Sequence, residues 1–134
     1  MSDNKQKAEA FVRSLVSGQI DEAHISPEMT CWAGAGEPFG LARLKVGVGI
    51  LRTLFDDAGL TMTIESSIAE GDRVAVLAQS QGTLKDGPVY SNDYHYAFRF
   101  QGGVIVEMRE YMNSAVVNEL IRPRLIAAMQ AAKG

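Results

Sequence analysis

The sequence predicts an α+β domain in which a curved antiparallel sheet wraps around N-terminal helices and is followed by a C-terminal helix. Two observations predict this class. Apolar residues recur at helical spacing through much of the first part of the chain, and from residue 61 they alternate with polar residues as in half-buried strands. The 134 residues, 46% of them apolar and 22% charged, suit one globular domain over residues 1–134.

The first half of the chain predicts helices and one strand fragment. KAEAFVRSLVSG has an apolar helical stripe and ends at Gly18, and IDEAHISPEM predicts a short helical turn that is broken before Pro27. TCWAGAGEPFG predicts a strand fragment that runs into a loop. LARLKVGVGILRTLFDDAG predicts a further helix, in which Gly47 and Gly49 each cost about 1 kcal/mol relative to alanine.

The second half predicts a four-strand antiparallel meander. The strands are TMTIESSIAE, VAVLAQSQGTL, VYSNDYHYAFRF and VIVEMREYMN, separated by the turns GDR, KDG and QGG. The remaining SAVVNELIRPRLIAAMQAAKG predicts a helix capped by Ser114 and kinked or split at Pro123. A sheet curved around helices leaves a cavity at its open end, where small-molecule sites tend to lie.

The third predicted strand carries five of the ten aromatic residues of the chain. At a period of two, these aromatic residues share one face with Asn92, while His95 lies on the opposite, more polar face. That aromatic face is either a pocket lining or core. It comprises Tyr90, Asn92, Tyr94, Tyr96, Phe98 and Phe100.

The fourth predicted strand places a single carboxylate on an apolar face. Strict alternation puts Glu110 there, together with Val104, Val106, Met108 and Met112. Burial of a carboxyl group disfavours its charge and raises its pKa, which is the setting of a general acid or base. Alternatively, Glu110 lies near the strand end and points into water, or it pairs with an arginine.

Composition excludes several other classes of function. The net charge of −3 without basic clusters argues against a nucleic-acid partner, and no apolar run is long enough to span a membrane. A single cysteine, Cys31, and a polar N-terminus without an apolar signal segment favour the cytoplasm. The separated His24 and His95 form no ligand cluster, so we expect no metal site and no cofactor.

The run AEGDRVAVLAQSQGTLKDGPVYSNDYHYAFRFQGGVIVEMREYMNSAVVNEL resembles the C-terminal half of the nuclear transport factor 2-like superfamily, in its SnoaL-like, ketosteroid-isomerase-like branch. Shared features are GDRVAV, an aromatic strand ending in FRF, a glycine turn and VIVEMREYMN before a helix. The resemblance implies a cone-shaped fold and a homodimer formed through the outward sheet face. It also implies that the face of Asn92, Tyr94, Tyr96 and Phe98 looks into the cavity.

The functional residues of relatives carry over incompletely. The oxyanion-binding aspartic acid of ketosteroid isomerases falls on Tyr96, which can still donate a hydrogen bond, whereas their tyrosine falls on Phe11 and their base near Cys31 or Trp32. In limonene-epoxide hydrolases, the segment RDY resembles REY here, which puts one catalytic aspartate on Glu110. Their arginine and second aspartate fall on Leu77 and Gln79. The acid of SnoaL-type cyclases falls on Glu110 or on Asn113, depending on the register.

The leading hypothesis is a pocket for a small, largely apolar molecule with a polarisable oxygen. Glu110 would act as acid or base and Tyr96 as hydrogen-bond donor, in an isomerisation, dehydration or cyclisation. Trp32 is either a pocket residue or a core residue. The alternative function is a non-catalytic binder or a structural homodimer of the same fold. The candidate ligand-binding residues are Trp32, Gln79, Asn92, Tyr94, Met108 and Met112.

Overall fold

The computed structural model describes residues 3–34 and 36–133 and confirms the α+β class. The elements are α1 (Asp3–Ser14), β1 (Ile25–Ala33), α2 (Leu41–Thr53), β2 (Thr61–Glu70), β3 (Arg73–Thr83), β4 (Val89–Gln101), β5 (Val104–Met112), α3 (Ser114–Val116), a π-helical turn (Val117–Ile121) and α4 (Arg122–Lys133). No helix in these residues is long and apolar enough to cross a membrane.

The sheet has five strands in the order β1-β5-β4-β3-β2. The predicted meander forms β2 to β5, and β1 joins its edge parallel to β5. The helical turn predicted before Pro27 is wrong, because Pro27 lies within β1. Proline is tolerated there because an edge strand leaves some N–H groups without a partner, and the pairing shifts register between Ile25 and Thr30.

The inner face of the sheet packs against α1 and forms the main core. Phe11 of α1 meets Phe98 of β4 edge to face, with the ring centroids 5.7 Å apart. Both rings are buried, as are Ala8 and Val12 on the same side of the helix. Burial of each phenylalanine contributes about 1.5–3 kcal/mol, so this contact holds α1 inside the curved sheet.

A bulge in β5 changes which residues face the core. Arg99 pairs with Glu107 and the next residue, Phe100, pairs with Ile105, which leaves Val106 as the extra residue. Ile105 is therefore fully buried, so the prediction that Val104 and Val106 share the inner face is wrong for this end of the strand. Beyond the bulge the alternation predicted from sequence holds.

The C-terminal helical segment begins at Ser114, the predicted cap, so the observed cap lies one residue earlier. Asn113 is the cap, and its side chain accepts a hydrogen bond from the backbone N–H of Ala115 at 3.1 Å. The predicted interruption at Pro123 is confirmed, since the π-helical turn ends at Ile121 and α4 begins at Arg122. A widened turn accommodates the missing proline N–H and the bulk of its ring.

Candidate functional site

A cavity of about 380 Å³ lies between the inner face of the sheet and helices α2 and α4. Its walls are mostly apolar and include Phe39, Leu44, Val48, Leu51, Met108, Leu125 and Met129. Within the described chain, the charged side chains that line it are Glu110 and Arg43. The cavity is open to solvent on one side, where Val46 and Met129 are exposed. A concave apolar space with few polar groups is typical of a site for a small molecule.

Glu110 is held inside the sheet. It pairs with Tyr96 of β4 on one side and with Ala33 of β1 on the other, and its carbonyl accepts a hydrogen bond from the N–H of Gly34 at 2.8 Å. Met108, two residues earlier, is buried on the same inner face and also lines the cavity. The backbone on both sides of Glu110 therefore directs its carboxyl group into the cavity.

Burial is the main cause of the raised pKa of Glu110. A hydrogen bond with the Tyr96 hydroxyl acts in the opposite direction and lowers that pKa in part. Burial, followed by the negative charge of Glu110, raises the pKa of Tyr96 well above its usual value. Tyr96 therefore stays protonated, and Glu110 holds its proton to a higher pH than an exposed glutamate does.

The ring of Tyr96 is fixed by its neighbours. It is 1% exposed and stacks on Tyr94 and on Phe98, with centroid distances of 5.6 Å and 6.2 Å. Stacking on both sides limits its rotation next to its cross-strand partner Glu110. Tyr96 is not part of the cavity wall, and its effect reaches the cavity through the carboxyl group.

Tyr94 and Asn92 belong to a buried hydrogen-bond network beside the site. The Tyr94 hydroxyl lies 2.8 Å from both the Ser80 hydroxyl and the Tyr90 hydroxyl. The Asn92 amide donates to the Tyr90 hydroxyl at 2.9 Å and to the carbonyl of Asn113 at 3.1 Å. Burial raises the pKa of Tyr94, so it remains a neutral phenol. These groups satisfy one another instead of lining the cavity.

Trp32 and Gln79 lie on the outer face of the sheet, which corrects their expected position in the pocket. The Arg109 guanidinium stacks over the Trp32 ring, 4.0 Å from its centroid. Gln79 is exposed and pairs with Asp93, while its neighbours Ala78 and Ser80 are buried. In each strand the inward residues are one position away, because alternate residues of a strand face opposite sides.

The same alternation places Leu77 on the outer face, where it is 43% exposed. The positions matched to the epoxide-hydrolase arginine and second aspartate therefore do not face Glu110. Met112 is half-buried and packs against the main core, without forming part of the cavity wall.

The free cysteine beside the site is buried. Burial, together with the charge of Glu110, raises the pKa of Cys31 to about 11, so its thiol is protonated and a weak nucleophile. No group of three His, Cys, Asp or Glu residues that could hold a metal ion occurs in residues 3–34 and 36–133.

Two residues of the cavity wall were not predicted from the sequence to belong to a site. Arg43 and Phe39 flank the start of α2, and the Arg43 guanidinium lies 5.2 Å from the centroid of the Phe39 ring. The only sequence signal available was their place beside the predicted helix stripe. Their role in the cavity wall follows from how α2 packs across the sheet.

The sequence pattern of the SnoaL-like domain matches residues 8–108, three quarters of the chain. The chain belongs to the SnoaL-like family. No curated protein matches it in sequence.

Solved structures of other proteins share this SnoaL-like fold. A putative SnoaL-like polyketide cyclase from Jannaschia sp. CCS1 is 19% identical, with a TM-score of 0.70 over 90% of this chain and 95% of the cyclase. BvnE pinacolase from Penicillium brevicompactum is 14% identical, with a TM-score of 0.75 over 92% of this chain and 91% of the pinacolase. An LEH-like epoxide hydrolase of M. tuberculosis is 14% identical, with a TM-score of 0.68 over 96% of this chain and 93% of the hydrolase. At these identities the likeness concerns the fold.

Proposed function

We propose that this SnoaL-like protein catalyses proton transfer on a small, largely apolar molecule that carries a polarisable oxygen. The observation that carries the proposal is the Glu110 carboxyl group, which lies in the wall of an apolar cavity beside its cross-strand partner Tyr96 and whose pKa is raised by burial. A carboxyl group in such surroundings can act as acid or base near neutral pH. The reaction class is isomerisation, dehydration or cyclisation.

Each residue has a separate part in this chemistry. Protonated Glu110 donates its proton to the ligand oxygen, or ionised Glu110 removes a proton from an adjacent carbon. Tyr96 positions the carboxyl group and stabilises its ionised form through the hydrogen bond that lowers the pKa of Glu110. Met108 and the leucines of α2 exclude water and hold the apolar part of the ligand.

The names of the similar structures support enzymatic chemistry in this fold. They include a putative polyketide cyclase, a pinacolase and an epoxide hydrolase. The fold alone does not assign any of these reactions to this chain.

The test is Glu110→Gln, assayed for turnover and binding with a panel of cyclic ketones, phenols and epoxides. The amide keeps the size of the side chain but cannot exchange a proton, so turnover is expected to disappear while binding persists. Glu107→Gln is the matched control, because Glu107 lies on the same strand and pairs with Arg99 away from the cavity. Undiminished turnover in Glu110→Gln would refute the assignment.

A non-catalytic binder is the second candidate, favoured because no residue in 3–34 or 36–133 forms a salt bridge with Glu110. Burial and Tyr96 account for the shifted pKa of Glu110, without a contribution from a cation or another carboxylate. Under this alternative, any ligand that binds is recovered unchanged after prolonged incubation. A converted product that is lost in Glu110→Gln would exclude it.

We also propose a homodimer formed through the outer face of the sheet. Large apolar side chains are exposed there, namely Ile68, Leu77, Val89 and Tyr111. Light scattering is expected to give twice the chain mass, and Leu77→Lys is expected to shift it to the monomer. A monomeric wild-type protein at micromolar concentration would contradict the proposal.

The buried free thiol of Cys31 supports a proposed cytoplasmic location.

A further inference from the structure

Arg43 contributes a positive charge to the wall of the cavity that also contains the Glu110 carboxyl group. Arg43 lines the cavity from the first turn of α2, and its guanidinium lies over the ring of Phe39, another wall residue. The Arg43 side chain is exposed, and this cation–π contact places its charged group beside the apolar wall without using its hydrogen-bond donors.

The charge of Arg43 has no acidic partner in the described chain. The salt bridges there involve Arg13, Lys45, Arg73, Arg99 and Arg124. Glu110 lines the same cavity, and none of these salt bridges joins it to Arg43. The guanidinium donors are therefore free to bind a group of the ligand.

We propose that Arg43 binds an anionic group of the ligand, an inference that rests on the function proposed above for the same cavity. The ligand is a flat apolar acid: a ring system with a carboxylate, or with an oxygen of similar charge such as an enolate. The ring contacts Val48 and Met108, the anion takes the paired N–H donors of Arg43, and a second oxygen or an acidic carbon faces Glu110.

The electrostatics favour an anion over a cation as ligand. Glu110 is neutral until the pH exceeds its raised pKa, so it offers no fixed negative charge below that pH. A guanidinium group, in general, is not deprotonated in proteins. With Glu110 protonated, the net charge of the cavity wall is positive.

The test compares two probes of the same shape, 2-naphthoate and the neutral 2-naphthamide, by calorimetric titration at neutral pH and low salt. Wild type is expected to bind the naphthoate about tenfold more tightly than the amide, the value of one good charge-assisted contact. Arg43→Gln is expected to abolish this preference, and Arg43→Lys to keep part of it. Lys45→Gln is the control, because it removes the same charge from the same helix outside the cavity wall.

The outcomes separate this inference from the proposed catalysis. Equal binding of the two probes by wild type, binding of neither at millimolar concentration, or a preference that survives Arg43→Gln would each overturn the role of Arg43. Glu110-dependent turnover of a neutral substrate would leave the proposed function standing in those cases. Conversely, an Arg43-dependent preference in a protein whose turnover ignores Glu110→Gln would support the anion site and refute the proposed catalysis.

Discussion

Asn92→Ala is expected to loosen the junction between the sheet and the C-terminal helical segment. The buried side chain of Asn92 donates to the Tyr90 hydroxyl and to the carbonyl of Asn113, and its oxygen accepts from the N–H of Asn113 at 3.0 Å. Asn113 is itself the cap of that helical segment. One side chain thus ties the end of β5 and the start of the helix to β4.

The magnitude follows from these three hydrogen bonds, because the fourth, accepted from the N–H of exposed Asp93 at 2.8 Å, is local to β4 and water can replace it. Each contributes about 1 kcal/mol net, so their removal lowers the free energy of unfolding by about 3 kcal/mol. Tyr90 keeps its bond to Tyr94, and exposed Asn113 can bond to water, which limits further losses. For a 134-residue domain, a loss of that size lowers Tm by roughly 10 °C.

Urea unfolding followed by circular dichroism and Trp32 fluorescence measures the loss. Ser91→Ala is the control, because Ser91 is the neighbouring exposed residue on the outer face. Hydrogen exchange is expected to accelerate at the amides of residues 115–121. A decrease in the free energy of unfolding below about 1 kcal/mol, or one equal to that of Ser91→Ala, would refute the inference that Asn92 joins the helical segment to the sheet.

Three further comparisons test packing and charge. Gly82→Ala is expected to lower the free energy of unfolding by about 1–3 kcal/mol, because its Cβ would lie 2.9 Å from both the Gly59 carbonyl and the Phe55 ring. Gly49→Ala has open space and is expected to raise that free energy by about 0.5–1 kcal/mol. Equal urea midpoints of the two variants would contradict this. The contribution of Glu110 to stability is greatest below its unfolded-state pKa and declines as pH rises through its raised folded-state pKa. The difference in Tm between wild type and Glu110→Gln should therefore change across that pH window. A constant difference in Tm would contradict this. Tyr96→Phe removes the hydrogen bond that lowers the pKa of Glu110, so the pH profile of turnover should move to higher pH; an unmoved profile would exclude coupling of the two groups.

The inner face of β4 was predictable because its alternation is unbroken. Asn92, Tyr94 and Tyr96 all point inward, and the strand pairs with β3 without a register shift. Glu110 also lies on the face predicted for it, since it comes after the bulge in β5. Alternation with a period of two is sufficient to assign the inward face wherever the strand is regular.

The sequence could not reveal features that depend on tertiary packing. Pro27 is typical of a break, and its place in an edge strand becomes evident only when β1 pairs with β5. The bulge at Val106 reverses the faces of its neighbours without a distinctive residue to mark it. Arg43 enters the site through the packing of α2, which periodicity alone does not position.

The most direct test of the site is an NMR titration of the Glu110 side-chain carboxyl carbon, assigned by comparison with Glu110→Gln. Burial in the cavity wall predicts a pKa above that of an ordinary glutamate, with a further rise in Tyr96→Phe. An ordinary or lowered pKa in the wild-type protein would contradict the account of Glu110 as a buried acid–base group.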